Sequence, residues 1–271
     1  ARESRTGTFE TGPPLGVAVL LPAPEGESIL TLIDEFNEYS ASQAPQTGAM
    51  YSTMGLFELD DATILSTAPD VNYPVFGSHA FVQFLAKHMI ARTEAIDLSH
   101  WRDQPGRPDL TDAMWEAIDQ NPYAYVIDYS HSGDILYLKY SYGPGTYEQH
   151  QAELYQAVQT AVASVVKPSM SERQKVTAIN NYLVRQAEYD HYAITVTDNW
   201  SYDRTGQNWR EYALDHGVIH AWEANGAWYP GTFVCYGYAM AFTAMAREAG
   251  LDAVTVVGHM TTIGGGHAWN K

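Results

Sequence analysis

From Phe233 to the end, the chain switches from helical to alternating pattern, and that succession constrains the fold more than any other feature. Cys235 opens a predicted helix in which Met240, Phe242, Met245 and Ala246 can face a core. Gly250 stands where helices commonly end on a left-handed residue. AVTVVGH then reads as a strand, Gly264 to Gly266 as a turn, and HAWNK as the start of the next strand. A helix feeding two strands in so short a span brings the second strand back toward the helix start.

That return places a specific pair together. Cys235 is the chain's one cysteine, and His267 follows 32 residues later (267 − 235). The thiolate is the nucleophilic form of cysteine, and a free thiol near neutral pH is mostly protonated. Unpaired N–H groups at a helix start favour the thiolate, and an adjacent imidazole can complete a thiolate–imidazolium pair. The small residues Gly264 to Gly266 permit a close approach. The competing reading is a buried, inert cysteine. One cysteine excludes an intramolecular disulfide and a cysteine-rich zinc site.

Charge narrows the function further. With 32 acidic against 15 basic residues, the net charge is −17. This argues against a non-specific grip on nucleic acid, which needs local positive charge. The 271 residues, 45% of them hydrophobic, suffice for a sizeable core in one large domain or two ordinary ones. No apolar run of about 18 residues is present, so no membrane span is expected. The opening ARESRTGTFETGPPLG has no apolar run, so no signal peptide is visible. His216, His220 and His259 match no ligand spacing, no loop has EF-hand spacing, and Gly264 to Gly266 lack the features of a phosphate loop. No metal and no cofactor are expected.

Upstream, residues 1–28 read as a flexible segment with an apolar run at Val17 to Leu21. Ser28 caps a predicted helix from Ile29 to Tyr39, and residues 51–75 hold short strand-like pieces. Helical spacing runs from Phe81 to Ala95, with a short strand AIDLS beside its end. Asp109 or Thr111 caps a helix to Asp119, ended by Asn121-Pro122. YAYVIDYS and DILYLKYSYG predict a hairpin around His131-Ser132-Gly133. A helix follows from Glu148 to Val166, then another capped by Ser169 with Glu172 and running to Ala187. Residues 190–232 show little periodicity and read as a long, partly ordered loop over a site. Trp200, Trp209, Trp222 and Trp228 there are candidates for an aromatic substrate wall, with core and lid packing the alternative.

VCYGYAMAFTAMAREAGLDAVTVVGH, followed by GGGHAWN, resembles the core of the transglutaminase-like superfamily. The family's run is a cysteine with GYA within a helix, then a strand, then a histidine strand of GHAWN type. KVTAINNYLVRQAEYD resembles the helix that precedes this core, and the similarity covers about residues 120–271. The resemblance implies an α+β, papain-like fold: a catalytic helix packed on an antiparallel sheet in residues 121–271, with an N-terminal α/β accessory region over residues 29–120. It implies Cys235 as nucleophile and His267 as base, and some transglutaminases use calcium. It implies oxyanion donation from the Cys235 N–H and an upstream aromatic, Tyr189 or, alternatively, Trp200. The family orients its histidine with an aspartate on the following strand, which lies beyond Lys271, so the core is expected to be truncated before its last strands. Asp252 is a poor substitute. The implied activity is acyl transfer on a glutamine side chain or peptide bond of a protein or peptide, by crosslinking or deamidation. A cysteine protease or amidase, or an inactive binding module at the cell surface, are the alternatives. An upstream region that binds cell-wall polymer is a further one. An extracellular or cell-surface bacterial protein is the expected setting.

Overall fold

A computed structural model describes Leu59 and residues 61–200, 207–260 and 265–271. The flexible segment 1–28, the strand at Val17 to Leu21 and the helix from Ile29 to Tyr39 lie outside the described residues. The architecture is mixed α+β.

Four strands form one sheet: β1 (Ile64–Leu65), β2 (Ala95–Asp97), β3 (Val126–Ser132) and β4 (Ile135–Tyr140), in the order β1-β2-β4-β3. β1 and β2 are parallel, and the other two pairings are antiparallel. The β3–β4 hairpin forms where the aromatic and β-branched residues predict it, and Gly133 turns it with φ +58°. β2 and β4 pair across residue 120, so the upstream region shares a sheet with the hairpin that follows it.

Helix α1 (Ala80–Ile90) and helix α2 (Leu110–Asp119) pack together beside this sheet. Phe81, Leu85 and Met89 of α1, and Met114 of α2, are wholly buried. The predicted continuation of α1 to Ala95 does not form. Arg92 adopts φ +57°, which ends the helix, and its guanidinium is held by Glu94 at 2.9 Å and by the Tyr142 carbonyl at 3.1 Å. Asp109 caps α2 by accepting from the Thr111 N–H at 2.7 Å.

Helix α3 (Thr146–Val165) starts two residues earlier than its apolar stripe indicates, because Glu148 accepts from the Gly145 N–H. Helix α4 (Glu172–Gln186) is capped by Ser171, not Ser169. Two overlapping boxes are present in the sequence, and the Ser171–Gln174 pair is the one that closes, with the Gln174 amide oxygen 2.9 Å from the Ser171 N–H.

Residues 190–200 and 207–232 are more ordered than their weak periodicity predicts. They carry α5 (His191–Asp198), α6 (Trp209–Asp215), two 3-10 turns at Ile219–Trp222 and Ala224–Ala227, and the start of β6 (Thr232–Phe233). Side-chain caps start α5 and α6, which need no long apolar stripe, whereas the two 3-10 turns have no side-chain cap. Asp190 accepts from the Ala193 N–H at 2.7 Å, and Asn208 accepts from the Arg210 and Glu211 N–H groups.

Helix α7 (Cys235–Glu248) is buried continuously from Tyr236 to Ala246, the signature of a helix enclosed on all sides. It packs on α3, α4, both 3-10 turns and the antiparallel pair β7 (Thr255–Met260) and β8 (Gly265–Asn270). Gly250 follows α7 with φ +76°, as its position predicts. Gly265 and Gly266 belong to β8 and not to a turn; Gly264 is outside the described residues.

Candidate active site

Cys235 is the first residue of α7, after Val234 at its N-cap. Two close approaches fix that helix start. The Val234 N–H donates to the Ala221 carbonyl at 2.9 Å. A Cβ at Gly237 would stand 2.4 Å from that same carbonyl oxygen, so only glycine fits there. This gives the glycine of CYGYA a physical reason: the 3-10 turn must reach the helix backbone.

Three elements converge on the thiol. Backbone N–H groups of Cys235 and Tyr236, at the open end of α7, favour the thiolate. So does the N–H of Ala268 on β8. The Tyr189 hydroxyl is the fourth such group. Tyr189 lies on β5 (Glu188–Tyr189), which pairs in parallel with β6, Tyr189 beside Phe233. The pairing is locked at its end, where the Asp190 N–H donates to the Phe233 carbonyl at 3.0 Å and Asp190 accepts from the Thr232 hydroxyl at 2.9 Å. Burial nevertheless outweighs these donors and pushes the Cys235 thiol up. The lowering expected from the helix start alone is therefore reversed in the net balance. Burial also pushes the Tyr189 phenol up, to about 12, keeping its proton on as a hydrogen-bond donor.

β8 is pinned to α7 by Asn270, whose amide donates to the Ala239 carbonyl and to the Thr243 hydroxyl, each at 2.9 Å. Alternation along the strand then turns Ala268 and Asn270 toward α7, and His267 and Trp269 together toward the other side. The His267 ring stacks on Trp269 at 6.1 Å between centroids and 22° between planes. Trp269 in turn occupies space that a Cβ at Gly258 would fill at 2.7 Å. Burial alone pushes the His267 imidazole down, toward its neutral form. The thiol has no part in this lowering, and no hydrogen bond joins the two side chains.

Cys235 and His267 nonetheless line one cleft, of about 310 Å³. Trp200, Trp209 and Trp222 form part of its wall, as does Trp115 of α2. The Trp200 indole donates to the Gln207 carbonyl at 2.9 Å, so it contributes a ring face rather than a free donor. Trp228 stands elsewhere, donating to the Tyr182 hydroxyl at 3.0 Å. His220 contacts the Thr232 hydroxyl and His216 the Tyr212 carbonyl. The His259 side chain is outside the described residues. No metal-binding group of three ligands occurs among the described residues. No helix there is long and apolar enough to cross a membrane.

Two buried ionisable residues in the cleft, Asp119 and Arg210, have no counterpart in the motif reading. Asp119 ends α2, 116 residues before Cys235 (235 − 119), and accepts from the Tyr236 hydroxyl at 2.7 Å. Burial raises its carboxyl to about 6, against the opposing effects of Tyr236 and Arg210. Arg210, on α6, lies over the Tyr236 ring at 5.3 Å. Nothing local in DQNP or NWRE signals this role; only the long-range packing of α2 and α6 creates it. No protein-family model matches the chain, and no curated protein matches it.

Proposed function

We propose that the chain is a transglutaminase-like enzyme of papain-type arrangement, transferring the acyl group of a peptide or protein amide through a thioester on Cys235. The observation that carries this reading is the convergence of the Tyr189 hydroxyl and three backbone N–H groups on a helix-start thiol, in a cleft shared with His267.

Burial holds the resting pair as neutral thiol and neutral imidazole. Proton transfer therefore accompanies attack instead of preceding it. His267 turns from its Trp269 stack toward Sγ and accepts the thiol proton as Sγ bonds to the carbonyl carbon. The oxyanion that forms is met by the Cys235 N–H and the Tyr189 hydroxyl. The carbon–nitrogen bond breaks, and His267 returns its proton to the departing nitrogen. An amine or water then attacks the thioester, His267 taking the attacking group's proton, and the thiol is restored.

The choice between amine and water defines transferase against hydrolase. Incubation with a glutamine peptide and a labelled primary amine tests both levels. Labelled peptide supports transfer. Products carrying only water sink the transferase reading and leave a protease or deamidase. Absence of turnover with every amide and ester donor leaves a binding module that has the fold without the reaction. The reading carries with it an extracellular or cell-surface setting in a bacterium, suggested by the resemblance to bacterial members of the superfamily.

A further inference from the structure

We infer that Arg210 makes the cleft a receptor for a carboxylate carried by the acyl donor. The inference rests on the thioester reading and adds a substrate class to it.

Arg210 is 7% exposed and lines the cleft beside Cys235. Its Nε has no hydrogen-bond partner. Among the described residues no carboxylate reaches its guanidinium within ion-pair distance. Its flat faces are covered instead, by Trp209 at 4.9 Å and Tyr236 at 5.3 Å. The guanidinium reaches the Tyr236 hydroxyl, and Asp119 and Glu223 feel its charge from beyond ion-pair distance. A buried cation held without a contact ion pair is costly to keep.

The acids nearby are each engaged by hydroxyl groups. Asp119 accepts from Tyr236, and Glu223 accepts from Ser141 at 2.6 Å and from Tyr142. Asp198, the remaining acid on the cleft wall, is exposed. The guanidinium is the only lysine or arginine charge lining the cleft among the described residues. A planar fork of N–H donors matches a carboxylate better than any other small anion of a peptide, and the tryptophan walls shield that pairing from water.

Tyr236 fixes where the anion sits. It follows Cys235 in sequence and lies under Arg210. A carboxylate bound there shares the cleft with the reacting carbonyl. The class that fits is a glutamine donor with a carboxylate nearby, either its own α-carboxylate or that of an adjacent acidic residue.

The test uses the full chain and two maleimides of matched size, 3-maleimidopropionate and its neutral amide. Mass spectrometry follows labelling of Cys235 at pH 8, and the anionic-to-neutral rate ratio is compared with that of N-acetylcysteine amide. Arg210 recognition gives the protein a ratio about tenfold above the free thiol, as a charge-assisted hydrogen bond provides. R210Q removes that excess, and R210K, which keeps charge without the fork, retains part of it. An unchanged ratio in R210Q, a parallel loss of both rates in both variants, or no labelling of Cys235 overturns the inference. Three donors then identify the source: N-acetylglutamine, its methylamide, and an end-capped Gln-Asp peptide. Faster acylation by either acid over the methylamide supports Arg210 and names the carboxylate. Equal acylation by all three overturns Arg210 recognition while leaving the thioester intact, and acylation by none overturns both.

Discussion

The two halves of the candidate site are held in different ways. On the thiol side, α7, β5 and β8 direct four donors at one sulfur atom, and the glycine contact at Ala221 fixes the helix start. On the imidazole side, His267 has a stacked neighbour in Trp269 and a buried setting, with no hydrogen bond orienting it toward the thiol. The thiol is thus held by fixed donors, whereas no hydrogen bond turns the imidazole toward it. In the proposed reaction, His267 accordingly takes the mobile step, and Tyr189 and the helix start supply the fixed electrostatics.

The sharpest way to break this comparison is to remove each partner in turn. Cys235→Ala abolishes acyl transfer, a loss of roughly 10⁴-fold or more, with the circular dichroism spectrum retained. His267→Gln costs about 10³-fold in kcat and removes the acidic limb of the pH profile. In the parent that limb lies below the ordinary imidazole value, since burial lowers the His267 pKa and activity requires the neutral ring. A limb above about 6.5 contradicts this assignment. Tyr189→Phe lowers kcat by about 10²-fold with little change in KM, as expected for a donor used mainly in the transition state. It also raises the thiol pKa further, because the Tyr189 hydroxyl opposes the effect of burial. An equal effect on KM and none on kcat returns Tyr189 to a packing role.

Stability probes the thiol side through two of the contacts that hold its helix. Gly237→Ala forces a methyl group against the Ala221 carbonyl and costs about 2–3 kcal/mol, read as a lower midpoint in urea. Asp119→Asn has a pH-dependent effect of opposite sign. Its folded carboxyl, at about 6, lies above its unfolded value, so the ionised form is disfavoured by folding. That penalty is absent below about pH 4, where both states are protonated, and grows as pH rises through 6. Asp119→Asn therefore stabilises at pH 7, on the order of 2 kcal/mol, and is near neutral at pH 4. A melting-temperature gain that is the same at both values removes Asp119 as a buried ionisable group.

Legibility in the sequence follows the range of the interaction. Asp109, Gly133 and Gly250 act within a few residues, so α2, the β3–β4 hairpin and the end of α7 are readable from local pattern. The end of α1 is not, because the left-handed Arg92 is compensated by Glu94 and the distant Tyr142. The order within residues 190–200 and 207–232 hides for a related reason: the helices there are short and depend on single caps such as Asn208. At the site, the Cys235 and His267 positions are visible in motif spacing. Asp119 and Arg210 are not, since they reach the cleft through the packing of α2 and α6, far from Cys235 in sequence.

The most direct measurement is rapid-quench mass spectrometry of the full chain mixed with an activated glutamine ester. Thioester chemistry requires a transient acyl adduct on Cys235, released by hydroxylamine and absent from Cys235→Ala. An adduct on another residue, or turnover that persists in Cys235→Ala, contradicts it.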